Sequence, residues 1–275
     1  MLEGLRLNMM REILEVDVKE RELAIFWLGQ NSFVFKTHEG TLISIDPYLS
    51  RSSKRGRIED IYVHTEPPVN PEEFLVDYVF CTHDHLDHTD PDTISKIAKH
   101  SRKTMFLGPP ESYRRFLEVG VDPERAICLK SGVWVDLNGF RVLPVDSIIG
   151  SEVDRYGRRW ITHYGYIFDF GFVKVYNMGD SSPEVVKNPM KVFRNVIPHS
   201  PDIAIFPIIG DFPDRKPEDA FKFALILRPK IVIPCHYECF KNRTIDPKIF
   251  AEMFKDIPDI KPVIIEYMGK YIYRG

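Results

Sequence analysis

The sequence predicts an α/β protein built from two packed sheets with helices outside, and three observations carry that expectation. Its first half is dominated by short runs of β-branched and aromatic residues separated by turn residues. Its last third alternates strand-like runs with helix-like ones. No shift of composition marks a linker, no short-period repeat or low-complexity segment appears, and so one domain over 1–275 is favoured.

The elements follow in order. Residues 5–16 place Leu5, Met9, Ile13 and Val16 at helical spacing, which gives an amphipathic helix in an N-terminal extension over 1–22. Residues 23–28, 33–35 and 41–45 read as consecutive antiparallel strands, with turns at 29–32 and 38–40. Residues 50–71 form a long polar loop carrying Arg51, Lys54, Arg55 and Arg57. A strand over 77–81 runs into a group of histidines. Asp90 and Pro91 then open a helix over 91–100. A strand at 104–107 precedes a helix at 110–119, stopped by Gly120. Strands at 126–129, 133–137 and 140–145 come next, and 164–169 with 172–176 brackets Phe170-Gly171 as a hairpin. Strands at 203–208, 230–234 and 262–266 alternate with helices at 217–227 and 247–255.

Composition narrows the class. Of 275 residues 28% are charged and 44% hydrophobic, the balance of an ordinary soluble globular chain. The net charge of -3 gives no basic excess of the kind that draws nucleic acid or anionic membranes. No apolar run has the length of a membrane span or a signal peptide. Four cysteines are too few for a disulfide scaffold and suit a reducing cytoplasm.

The chemistry concentrates in Thr82-His83-Asp84-His85-Leu86-Asp87-His88, directly after a buried-looking strand. Three imidazoles and two carboxylates within six residues are the donor types that hold Zn, Mn and Fe. His83 and His85 can share one metal, while Asp87 and His88 can hold a second beside it. A polar capping loop would account for Asp90 and for none of the histidines.

This pattern resembles the metallo-β-lactamase superfamily, and within it the L-ascorbate-6-phosphate lactonase group. The resemblance rests on Trp27-Leu28-Gly29, the cluster from Cys81 to His88, Leu107-Gly108-Pro109 and Gly120-Val121-Asp122-Pro123-Glu124-Arg125. It continues through Gly179-Asp180-Ser181, Val232-Ile233-Pro234-Cys235-His236 and Asp246-Pro247. It implies a four-layer αββα sandwich with metals at one end of the paired sheets. It also implies that Asp180 bridges two metals and that His236 is a ligand of the second. Taken alone, Gly-Asp-Ser is ordinary turn chemistry, and a histidine at a strand end is commonly structural. The first metal lacks its usual third histidine. Asp146 stands in that place, as an aspartate does in the lactonase group, and His163 is the rival, either as ligand or as a pocket residue. A set of four imidazoles and three carboxylates would favour Mn or Fe relative to an all-nitrogen site. The expected cofactor is one or two divalent ions, with Mn and Zn ahead of Fe. The ligands are spread from 83 to 236, so one site draws on nearly the whole chain. Cys235 and Cys239 flank His236, but two thiols without a second pair make a poor separate zinc site.

The expected activity is hydrolysis by a metal-bound hydroxide, with Asp87 and Asp180 orienting it and moving its proton. The resemblance implies a lactone substrate, in particular a phosphorylated sugar-acid lactone. A phosphate would call for Arg158, Arg159, Lys241 or Arg243, each of which is also ordinary surface charge. The alternatives are a phosphodiesterase or nuclease on the same metals and, from another class, a diiron redox or non-hydrolytic metal-binding protein. The expected partner is a small molecule, with no membrane, no nucleic acid and room for a homo-oligomer.

Overall fold

Two seven-stranded mixed sheets organise the chain in the computed structural model, which describes residues 2–50, 62–64, 66–148, 162–209 and 216–275, the first seven of them by backbone alone. The chain divides into two compact units. The first holds 1–128, 238–243 and 265–275; the second holds 129–237 and 244–264.

In the first unit, helix α1 (Leu2–Glu15) leads into strands β1 (Glu22–Trp27), β2 (Phe33–Lys36) and β3 (Leu42–Ile45), an antiparallel meander. The chain then changes to parallel crossovers. Strand β4 (Tyr78–Phe80), helix α2 (Pro91–His100), strand β5 (Met105–Gly108), helix α3 (Pro110–Glu118) and strand β6 (Ala126–Cys128) extend the same sheet. Met9 and Ile13 of α1, Phe26 of β1, Val34 of β2, Ile94 and Ile97 of α2, Phe106 of β5 and Phe116 of α3 form one buried cluster. Side chains on the other face, such as Ile25, Phe35, Ile43 and Phe80, are equally buried, so these strands read as continuous apolar runs. Lys36 Nζ donates to the carbonyls of Leu14 and Val16 and closes the C-terminal end of α1.

The second unit repeats the plan. Strands β7 (Val135–Leu137), β8 (Phe140–Asp146), β9 (Tyr164–Asp169) and β10 (Lys174–Asn177) are antiparallel. Helices α4 (Pro183–Lys187) and α5 (Met190–Phe193) precede strand β11 (Ile203–Pro207). Helix α6 (Pro217–Leu227), strand β12 (Ile231–Cys235), helix α7 (Lys248–Glu252) and strand β13 (Lys261–Pro262) add the parallel part. Phe223 of α6 packs on Phe206 and Phe193 at centroid distances of 6.2 and 5.0 Å. Gly165 admits Tyr176 beneath it, since a Cβ there would lie 2.8 Å from that ring.

The α/β class is as the sequence predicts, and so are most elements. Asp90 caps α2, with Pro91 as its first residue. Gly171, at φ +81°, turns the hairpin. Three expectations need correction. A β-rich first half and an α/β second half give way to two sheets that each combine a meander with parallel crossovers. The expected strand at 262–266 is shorter than read: it pairs with β12 over Lys261–Pro262, and Val263 N still donates to Val232 O at 2.9 Å. The helix expected to reach 255 is α-helical only through Glu252 and goes on in i→i+3 turns, with Phe254 N bonded to Ala251 O and Ile257 N to Phe254 O. One strand was not foreseen: Lys270–Arg274 pairs with β1 from Glu22↔Arg274 to Phe26↔Lys270 and returns the chain end to the first sheet. Among the described residues no helix is long and apolar enough to cross a membrane. None of the four cysteines is in a disulfide.

Candidate metal centre

The histidine loop leaves the carboxyl end of β4, the end at which open α/β sheets present their functional groups. The loop is tight: His88 N and Thr89 N both bond to His85 O, at 3.0 and 2.8 Å. His83, Asp87 and His88 are fully buried and His85 partly so. His83 Nε2 lies 2.9 Å from His85 Nδ1, and His88 Nε2 lies 3.8 Å from Asp87 Oδ2. His83 and His88 also offer ligand atoms within 4.8 Å of each other. Two ligands of one tetrahedral metal with bonds of about 2.1 Å stand about 3.4 Å apart, so these spacings suit shared metals.

Asp46 is a candidate site residue that the sequence alone did not single out. It follows β3, has φ +43° and is fully buried. Its carboxylate accepts from Asn31 Nδ2 at 2.6 Å and from Thr82 N and Oγ1 at 2.7 and 2.6 Å. His88 Nδ1 completes the set at 2.6 Å. A carboxylate in this role accepts a hydrogen bond from Nδ1–H, which fixes the tautomer and directs Nε2 toward a metal. Gln30, at φ +51°, does similar work for Asp87: its Nε2 donates to Asp87 Oδ2 at 2.9 Å, and its carbonyl accepts from Trp27 Nε1 at 3.0 Å. The sequence signals were a lone aspartate at a strand end before Pro47 and a glutamine after Trp27-Leu28-Gly29. Gln30 also lines a shallow recess with Leu28, Gly29, Tyr48, Glu238, Cys239 and Tyr267.

In the second unit the predicted residues come from separate loops. Asp180 follows β10, where Asn177 Oδ1 accepts from Gly179 N at 2.8 Å and shapes the turn. His236 follows β12 with φ +66°. Its Nδ1 lies 2.9 Å from Ile209 O, so Nδ1 carries the proton, and Nε2 stands 3.1 Å from Asp180 Oδ1. Both side chains are nearly buried. Asp146 is exposed at the end of β8, whereas His163, just before β9, is 1% exposed.

The remaining candidates are not gathered in the same way. Lys241 is exposed, and the Arg243 guanidinium lies over the Phe240 ring at 4.5 Å. Arg158 and Arg159, and the basic stretch 51–57, lie outside the described residues. Cys235 is buried in β12. The residues thus fit a resident divalent metal on their own chemistry. Imidazole and carboxylate donors are buried together in each unit, and the Nδ1 atoms of His88 and His236 are engaged elsewhere so that Nε2 is the metal-directed atom.

Comparison with known proteins adds the following. The family model described as beta-lactamase superfamily domain matches residues 24–236. A UPF0173 metal-dependent hydrolase of Methanosarcina mazei is 26% identical over 246 residues, covering 89% of this chain and 96% of the relative. Among solved structures, an isothiocyanate hydrolase from Delia radicum gut bacteria has a TM-score of 0.68 at 18% identity, covering 92% of this chain and 100% of the other. Igni18, a metallo hydrolase of Ignicoccus hospitalis, has a TM-score of 0.64 at 20% identity, covering 92% and 99%. These two likenesses establish a shared fold.

Proposed function

The chain belongs to the beta-lactamase superfamily, and on that premise we propose that it is a metal-dependent hydrolase acting on a small molecule with an electrophilic carbonyl or phosphoryl group. The observation that carries the reading is the buried histidine loop with Asp46 behind His88. The M. mazei relative, named a metal-dependent hydrolase and matched over nearly its whole length, supports it.

The ligands in this reading are His83, His85, Asp87, His88, Asp180 and His236, with one more from the pair Asp146 and His163. Burial favours His163 over the exposed Asp146. A bound divalent ion would lower the pKa of water toward about 7 and would polarise the substrate oxygen. Asp46 holds the His88 ring in one tautomer and one direction. Gln30 fixes one oxygen of Asp87, and the Asp87 carboxylate would orient the attacking water and take its proton. Asp180 serves as the second carboxylate and proton acceptor.

The substrate in this reading is a lactone, as in the lactonase group the sequence resembles. Lys241 and Arg243 give little support for a phosphate on it, since one is in solvent and the other is engaged with Phe240. The test is a hydrolysis panel of a plain lactone, a phosphorylated sugar lactone, a phosphodiester and a thioester, with Mn, Zn and Fe. Lactone turnover that stops on chelation supports the reading. Turnover of bis-p-nitrophenyl phosphate alone moves it to a phosphodiesterase, and no hydrolysis anywhere overturns it.

A further inference from the structure

We propose that helix α3 clamps the histidine loop, with Arg115 as the positioning residue that sets metal affinity through Asp84; this rests on the metal reading above. Asp84 stands between the ligands His83 and His85. Both of its carboxylate oxygens are gripped by one guanidinium, Nε on Oδ1 and Nη2 on Oδ2, the latter at 2.6 Å. A two-point fork fixes the carboxylate's rotation as well as its place. The side chains are 25% and 16% exposed, so water screens this pair less than an ordinary surface pair.

One turn earlier on the same face of α3, Ser112 makes a second attachment. Thr89 Oγ1 donates to His83 O at 2.7 Å, so Ser112 Oγ is the donor in its 2.9 Å bond to Thr89 Oγ1. Ser112 and Thr89 are both fully buried. The helix therefore holds the loop at Asp84 and at Thr89, on either side of His85, Asp87 and His88. Gly108 permits the close approach: a Cβ there would sit 2.9 Å from Ser112 Cβ and 3.3 Å from Cys81 O. The fork has a second consequence. A carboxylate between two histidines would itself compete to bind a cation, and Arg115 both neutralises Asp84 and holds it in place.

The experiment titrates chelator-stripped protein with Zn2+ against a chromophoric competitor, and follows melting of the metal-free form in parallel. Arg115→Met should weaken Zn2+ binding about 10- to 100-fold, the range of lost outer-shell partners. Arg115→Lys, which keeps the charge and loses the fork, should fall between it and the wild type. Asp84→Asn combined with Arg115→Met should bind no more weakly than Arg115→Met alone, because the two remove one interaction. Should Arg115→Met fail to fold, Arg115→Lys carries the comparison. Zn2+ affinity within twofold of wild type in the folded variants, with or without a lowered melting point, overturns the proposal and leaves α3 a purely structural support. A wild-type protein that takes up no Zn2+, Mn2+ or Fe2+ overturns the metal reading itself.

Discussion

In the first unit four candidate ligands come from six consecutive residues, whereas in the second Asp180 and His236 come from loops after different strands. The support differs as much as the spacing. The histidine loop is held by side chains from three other places: Asp46 after β3, Gln30 after β1 and Arg115 on α3. In the second unit His236 is held by a backbone carbonyl and its own left-handed backbone, and Asp180 by the turn that Asn177 shapes. The first unit is thus a preorganised nest whose supports are side chains open to mutation. In the second, a backbone carbonyl and the ends of β10 and β12 contribute directly to the placement of His236 and Asp180.

The largest effects should come from the carboxylates next to the reaction. Asp87→Ala and Asp180→Ala should each lose about 10³-fold in kcat at saturating metal while circular dichroism stays native. Retained turnover in Asp87→Ala would remove its assigned role. Next come the supports. Asp46→Ala leaves the Thr82 amide and the His88 ring without their acceptor, at a cost of about 3 kcal/mol in stability and a drop in metal affinity of about 10- to 100-fold. Asn177→Ala should cost about 1 kcal/mol and leave metal affinity near wild type. Equal losses of affinity in these two variants, read by urea unfolding and metal titration, would erase the contrast between the units.

The rivals for the remaining ligand sharpen the comparison further. His163→Ala should weaken metal binding by at least about tenfold. Asp146→Ala should change it by less than a factor of about three, since its carboxylate is exposed. The reverse order would restore Asp146. The smallest effect lies away from the site. Burial raises the Asp169 carboxyl's pKa, but the Arg141 guanidinium and the Gly171 amide outweigh it and hold that pKa below the usual value. Because the folded pKa is the lower one, the contribution is complete above the unfolded value of about 4 and is lost as pH falls through the folded value. Arg141→Met should therefore lessen the acid-side fall in melting temperature and leave metal affinity unchanged.

Much of this was legible in the residues, for identifiable reasons. Hydrophobic runs and caps are local, so the meander, the Asp90 cap and the Gly171 hairpin could be read directly. The histidine loop is contiguous, and its chemistry shows without a fold. The supports are not contiguous. Asp46, Gln30 and Arg115 acquire meaning only when chain folding brings them to Thr82, Asp87 and Asp84, and each alone is an ordinary polar residue. The strand Lys270–Arg274 escaped for a related reason: alternating charge and tyrosine at a sheet edge gives little apolar signal until β1 is there to pair with it. Asp146 attracted a ligand role through its sequence context, and only burial sets it apart from His163.

The central claim is that these histidines and carboxylates hold a catalytic metal. Elemental analysis of gently purified protein tests it most directly. The account predicts one to two equivalents of Mn, Zn or Fe per chain, removed by a chelator and regained on dialysis against the metal. A protein that carries only traces and takes up none on dialysis would contradict it.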